Sequence, residues 1–141
     1  MKILLAADGS EFTRKAARFL AGHVAQFREA PEVFVHHVHA PFPFPGAMGA
    51  LGKDTIEKYQ REQCQGALAP ATQELNPAGI DATTSWSVGD AATEINAFVK
   101  KHAIDMVVMG SHGHGSLAGF AMGSVATKLM AVIQVPVLVV R

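Results

Sequence analysis

Residues 106–124 read Met106-Val107-Val108-Met109-Gly110-Ser111-His112-Gly113-His114-Gly115-Ser116-Leu117-Ala118-Gly119-Phe120-Ala121-Met122-Gly123-Ser124. Four apolar residues in a row behind Asp105 predict a strand buried on both faces, since a half-buried strand would alternate. The connection after it carries five glycines from Gly110 to Gly123. It ends at Ser124, where a short helix bearing Val125, Leu129, Val132 and Ile133 is expected. Glycines in such a turn permit positive φ angles and close approach of backbone to a ligand. Exposed N–H groups and the positive end of a helix starting at Ser124 suit an anion, and the Ser124 hydroxyl adds a donor. From Met106 to Arg141 there is no Asp or Glu, so nothing in that stretch repels a phosphate.

Outward from this stretch the chain alternates short apolar runs with helical segments. Residues 2–7, Lys2 followed by the apolar run Ile3-Leu4-Leu5-Ala6-Ala7, are closed by Asp8-Gly9-Ser10, a strand and a turn, with Ser10 placed to cap the next helix. Phe12, Ala16, Phe19, Leu20, Val24 and Phe27 recur at helical spacing and predict an amphipathic helix of about four or five turns. Val33 to His39 follows as a second strand, with His37 and His39 on one face and His36 on the other. Pro41-Phe42-Pro43-Phe44-Pro45-Gly46 resists both helix and central strand, so an exposed loop is expected through Gly52. Ile56, Tyr59, Cys64, Ala67, Leu68, Ala71 and Leu75 mark a second helix. Ile95, Phe98, Val99 and His102 mark a third, entered at Gly89-Asp90.

Between those helices residues 81–88 alternate, Ala82, Thr84, Trp86 and Val88 against Asp81, Thr83, Ser85 and Ser87, as an edge strand does. Val137–Val140 supplies a last apolar strand, and Met106, Met109, Met122 and Met130 are expected as core filler. The order βαβαβαβαβ predicts one α/β domain over residues 1–141. Its expected architecture is an open, doubly wound, five-stranded parallel sheet with helices on both faces.

The 141 residues balance 12 Lys and Arg against 12 Asp and Glu, so no broad basic surface is available for nucleic acid or an acidic membrane. Cys64 is the sole cysteine, which excludes an intrachain disulfide and argues against a cysteine-based zinc site. The seven histidines lack accompanying acids or cysteines, and no dedicated metal site is expected. The opening apolar run is too short for a signal-peptide core or a membrane span, so a cytoplasmic protein is expected.

In open α/β sheets ligands settle beyond the carboxyl ends of strands, which here are Asp8-Gly9-Ser10, His37-Val38-His39 and the glycine loop. Asp8 by itself is either a turn-former or a ligand contact. The loop is not a Walker A motif, for Gly115 precedes Ser116 and no Lys or Arg is present. Nor is it the dinucleotide fingerprint, since Gly113-x-Gly115 follows a late strand with no acid downstream. A receiver domain would want an acidic pair after the first strand, and a flavin carrier a phosphate loop there; neither is present.

The spacing Gly110-x2-Gly113-x9-Gly123-Ser124, behind Val-Val-Met-Gly-Ser-His-Gly, resembles the nucleotide-binding loop of the universal stress proteins. The resemblance spans the chain and includes Ile-Leu-Leu-Ala-Ala-Asp-Gly-Ser at the start, His37-Val38, Val88-Gly89-Asp90 and the closing Val135-Pro136-Val137-Leu138-Val139-Val140. It implies a five-stranded sheet, usually a dimer, and ATP bound without a Walker motif. By position Asp8 would contact the ribose and the backbone of Val38 the adenine. Gly110, Gly113, Gly123, Ser124 and Val125 would hold the phosphates, with Ala7, Met109 and His114 in the same site. Many relatives carry a basic residue where this chain has His114, so phosphate binding should lean on backbone donors, with His114 adding charge when protonated. Lys128 and Arg141 are the only formal cations beyond the loop's start.

The expected function is therefore an ATP-binding, stress-response regulatory module, with Mg²⁺ or Mn²⁺ arriving on the phosphates. The alternatives are a slow ATPase or self-phosphorylating enzyme, for which no catalytic residue stands out, and a stress-response dimer that binds no nucleotide. An apolar terminal strand at a sheet edge needs covering, and pairing of Val137–Val140 with a second copy would supply it, predicting a homodimer.

Overall fold

The structure, a computed structural model, describes residues 1–41, 52–114 and 122–141. The expected proline-rich loop beyond Pro41, and Gly115, Ser116 and Gly119 of the glycine connection, lie outside the described residues. Five strands, β1 (Lys2–Ala7), β2 (Glu32–His39), β3 (Thr83–Val88), β4 (Met106–Gly110) and β5 (Val137–Val140), form one sheet. The spatial order is β3-β2-β1-β4-β5, and every pair is parallel. Among the described residues four α-helices connect them: α1 (Glu11–His23), α2 (Lys53–Leu75), α3 (Ala91–His102) and α4 (Ser124–Met130). This is the doubly wound α/β arrangement, and among the described residues no helix is long and apolar enough to cross a membrane.

Strand alternation divides the core in two. Ile3, Leu5, Val33, Val35 and Val108 face α1 and α2, meeting Ala16, Ala17, Leu20, Leu68, Ala71 and Leu75. Leu4, Phe34, Val107 and Met109 face the other way, against Ile95, Val99, Ala126 and Leu129 of α3 and α4. Helix starts follow the capping chemistry: Ser10 Oγ accepts from Thr13 N–H at 3.3 Å, and Asp90 Oδ1 from Thr93 N–H at 3.1 Å.

Several apolar residues expected inside are not. The first helix stops at His23 and passes into a 3-10 turn, Val24–Gln26. Phe19 stays exposed, its ring stacked 4.0 Å from His23. Tyr59, Val125, Met130 and Val132 are likewise exposed, and Met130 is therefore not core filler. In α4 the buried stripe is Ala126 and Leu129, because a seven-residue helix can turn only one narrow face to the sheet. The half-polar strand does lie at the sheet edge, but its polar face points inward. Ser85 and Ser87 are half-buried, whereas Trp86 and Val88 are 38% and 39% exposed. The reason is His36, buried on β2, whose ring hydrogen-bonds to both serines.

Candidate functional site

After β1 the chain turns to β2 on one side, and later returns to β4 on the other, so the order reverses beside β1. Ligand clefts form at such a reversal, outside the carboxyl ends of the strands. A cavity of about 390 Å³ opens there, within the size range of small-molecule sites. It is lined by Ala7 and Asp8 from β1 and its turn, Val38 from β2, Met109, Gly110, Gly113 and His114 from β4 and its loop, and Gly123, Ser124 and Val125 at the start of α4. All ten residues expected in the site thus surround one space.

Asp8 is both turn-former and cleft residue. Its Oδ1 accepts from Ser10 N–H at 2.9 Å and from Thr13 Oγ1 at 2.7 Å, while the Thr13 hydroxyl accepts from Asp8 N–H at 3.0 Å. Thr13 is 2% exposed and Asp8 half-buried, so the clamp is partly shielded from water. The other carboxylate oxygen, Oδ2, faces Gly113, where a Cβ would stand only 2.5 Å from it. Gly9 makes the turn possible in two ways: its φ is +81°, and a Cβ would meet the Ala67 backbone at 2.9 Å.

The sheet also presents a backbone acceptor. The His39 carbonyl accepts from Gly89 N–H at 3.0 Å, on the β3 side. Peptide directions alternate along a strand, so the Val38 carbonyl points to the β1 side, where pairing ends at Ala7 opposite His37. Around it Ala6, Ala91, Ile95, Met109, Val125 and Ala126 provide apolar walls. At the other end of the cavity, His114 Nε2–H donates to the Asp8 carbonyl at 2.8 Å, and Ser111 Oγ lies 2.9 Å from His112 Nδ1. The Gly123 N–H is already donated to the Ser111 carbonyl at 2.8 Å, so this glycine shapes the loop instead of offering a donor to a ligand. The N–H groups of Ser124 and Val125, in the first turn of α4, have no helical carbonyl to meet.

Electrostatically the cavity is sparse. Asp8 is the one formally charged side chain among its described lining residues. Lys128, one of the formal cations beyond the loop's start, has its ammonium 3.6 Å from Asp90 Oδ2 at the start of α3. That lysine and the α3 N-terminal N–H and hydroxyl of Thr93 hold the Asp90 carboxyl below its ordinary range, the Thr93 contacts most strongly. Burial pushes the His36 imidazole down to about 4, with His37 and His102 adding repulsion, and lowers His37 as well. His37 Nδ1–H donates to the Ala7 carbonyl at 2.8 Å. Among the described residues no group of three His, Cys, Asp or Glu is arranged to hold a metal ion.

Four contributors, Thr13, His36, Ala91 and Ile95, were missed from the sequence. Thr13 sits one helical turn beyond the cap, and its hydroxyl so close behind Asp8-Gly9-Ser10 was the available signal. For His36 the sequence indicates a strand face and nothing of its place at the cleft. Ala91 and Ile95 carry no chemical signal of their own, and only the fold brings α3 to the cleft.

The model of the universal stress protein family matches residues 1–141. A universal stress protein of Methanocaldococcus jannaschii, MJ0531, is 30% identical, the match covering 99% of this chain and 81% of that protein. Among solved structures, MJ0577 of the same organism superposes with a TM-score of 0.79 at 25% identity, covering 99% of this chain and 94% of the other. An Archaeoglobus fulgidus universal stress protein, solved in complex with dAMP, superposes with a TM-score of 0.63 at 22% identity, covering 100% and 98%. A family match over the whole length, together with a relative 30% identical over 99% of the chain, places this chain in the universal stress protein family.

Proposed function

We propose that the chain binds an adenine nucleotide, ATP foremost, in the cavity at the carboxyl end of β1 and β4, and works as a nucleotide-responsive regulatory module. The observation that carries this is the set Asp8 Oδ2, Gly113 and the Val38 carbonyl opening onto one cavity of nucleotide size. Proteins of this fold solved with cAMP, dAMP and AMP lend support. The Val38 carbonyl accepts from the exocyclic amine of adenine, an interaction guanine cannot reproduce at that position. Apolar side chains of Ala6, Ile95, Met109 and Val125 enclose the base, and Asp8 Oδ2 accepts from a ribose hydroxyl. Backbone N–H groups of the loop, Ser124 and Val125 receive the phosphates.

Mg²⁺ or Mn²⁺ would ride on the phosphate oxygens and water, since the described residues offer no carboxylate cluster and Mg²⁺ commonly keeps such ligands. Phosphoryl transfer needs cationic stabilisation of the moving group, and the described lining residues include no Lys or Arg. Binding without turnover is the reading. Pairing of Val137–Val140 with the same strand of a second copy completes the assembly, and the cytoplasm is its compartment. Calorimetric titration with ATP, with and without Mg²⁺, tests the core of this: saturable binding without phosphate release is expected. Absence of any adenine-nucleotide binding refutes it.

A further inference from the structure

The side chains of β2 that face α3 and α4 are Phe34, His36 and Val38. His36 lines the nucleotide cavity and also a second cavity of about 400 Å³ between β3 and α3. Its ring is the partition between them. The partition is held firmly: it is 4% exposed, Nδ1 lies 2.9 Å from Ser85 Oγ, Nε2 lies 3.1 Å from Ser87 Oγ, and the ring packs 4.4 Å from that of Phe98. Hydroxyls donate and accept alike, so both ring nitrogens are engaged in either neutral tautomer. What is left for the cavity is ring face and C–H edge.

Resting on the adenine-nucleotide reading, we propose that His36 is the specificity-determining residue at the base end of the cleft: it closes the cavity behind the purine and excludes bases enlarged on the exocyclic amine. That amine meets the Val38 carbonyl. His36 stands two residues back on the same face of an extended strand, roughly 7 Å away. A substituent running from the amine along β2 meets the imidazole. Without the ring the two cavities join, and the second, lined by Phe34, Phe98 and His102, receives an aromatic group.

The test compares ATP with ATP carrying a benzyl group on its exocyclic amine, by titration calorimetry, on the wild type, His36→Ala and His36→Phe. The wild type should prefer ATP by about 100-fold, the scale at which a closed pocket rejects added bulk. His36→Ala should bring the two ligands within about 10-fold by tightening the benzyl analogue, and His36→Phe, which restores the wall without its hydrogen bonds, should recover the preference. Circular dichroism and a melting curve establish that each variant folds. If His36→Ala does not fold, Ser85→Ala with Ser87→Ala unfastens the ring and should narrow the preference in the same direction. Unchanged discrimination in a folded His36→Ala protein, or no discrimination in the wild type, overturns the proposal while leaving ATP binding intact. Failure of the wild type to bind either ligand instead removes the nucleotide reading, and the role of His36 with it.

Discussion

Gly113→Ala separates two roles that the glycine can have. Among the described glycines, positive φ is confined to Gly9, Gly52 and Gly79, so alanine at 113 meets no left-handed backbone. What it meets is Asp8: the new Cβ stands 2.5 Å from Oδ2, about 1 Å inside comfortable contact. The carboxylate must rotate, yet Oδ1 is held by Ser10 N–H and the Thr13 hydroxyl. Rotation therefore sacrifices either the clamp or the orientation of Oδ2 toward a ligand. Losing one charge-assisted hydrogen bond costs about 1.5–3 kcal/mol, or roughly 10- to 150-fold in Kd. The assay is calorimetric titration with adenosine, AMP and ATP. An effect transmitted through Asp8 and the ribose weakens all three by a similar factor; an effect on phosphate seating weakens ATP and spares adenosine. The first result is expected. Adenosine binding within about twofold of wild type, in a variant that melts cooperatively, would refute the ribose-side reasoning; the twofold line sits well below the energy scale of that bond.

Thr13→Val keeps the shape but strands the Asp8 N–H and removes a donor from Oδ1; a stability loss of about 1–3 kcal/mol is expected in urea denaturation, and an unchanged midpoint would contradict the clamp. Acid should weaken the fold in a defined window. The His36 imidazole is held down at about 4 against an ordinary 6.5, so the unfolded chain binds more protons between those values. Stability present above 6.5 is lost progressively as pH falls toward 4, by up to about 3 kcal/mol, with His37 acting in the same direction. His36→Phe should flatten that slope, as read from denaturation midpoints across the range. At the opposite sheet edge, Val139→Lys should convert a dimer into a monomer in sedimentation equilibrium; a wild type that is monomeric at micromolar concentration would defeat the pairing of β5.

The strands could be read from the sequence because burial on both faces leaves nothing else for runs such as Val107-Val108 to be. The edge position of β3 was equally legible in its alternation, but the direction of its faces was not. An isolated strand with serines on one side and Trp86 and Val88 on the other predicts serines outward. The structure reverses this because His36, buried in the interior on β2, must satisfy both ring nitrogens, and Ser85 and Ser87 on the facing strand supply the hydroxyls. Long-range polar satisfaction of this kind leaves no local pattern. The cleft was legible through its glycines and through Asp8, whose chemistry is local. Its walls were not, because Ala91 and Ile95 are ordinary helix residues until β3 and β4 fix where α3 lies. The pairing of Lys128 with Asp90 is hidden for the same reason: the two are distant in sequence and adjacent in space.

The place of β1 in the middle of the sheet bears on how the protein comes to be made. It pairs with β2 on one side and with β4 on the other, Ile3 opposite Met106. The contact between His114 and the Asp8 carbonyl bridges 106 positions of sequence. Loop closure over such distances is slow relative to local helix formation, and parallel sheets fold late for that reason. The first strand has to await the fourth, and half of the cleft exists only once most of the chain has threaded into place. Capture of the proposed nucleotide would accordingly come late in maturation, and recovery of binding during refolding should lag behind recovery of helical signal.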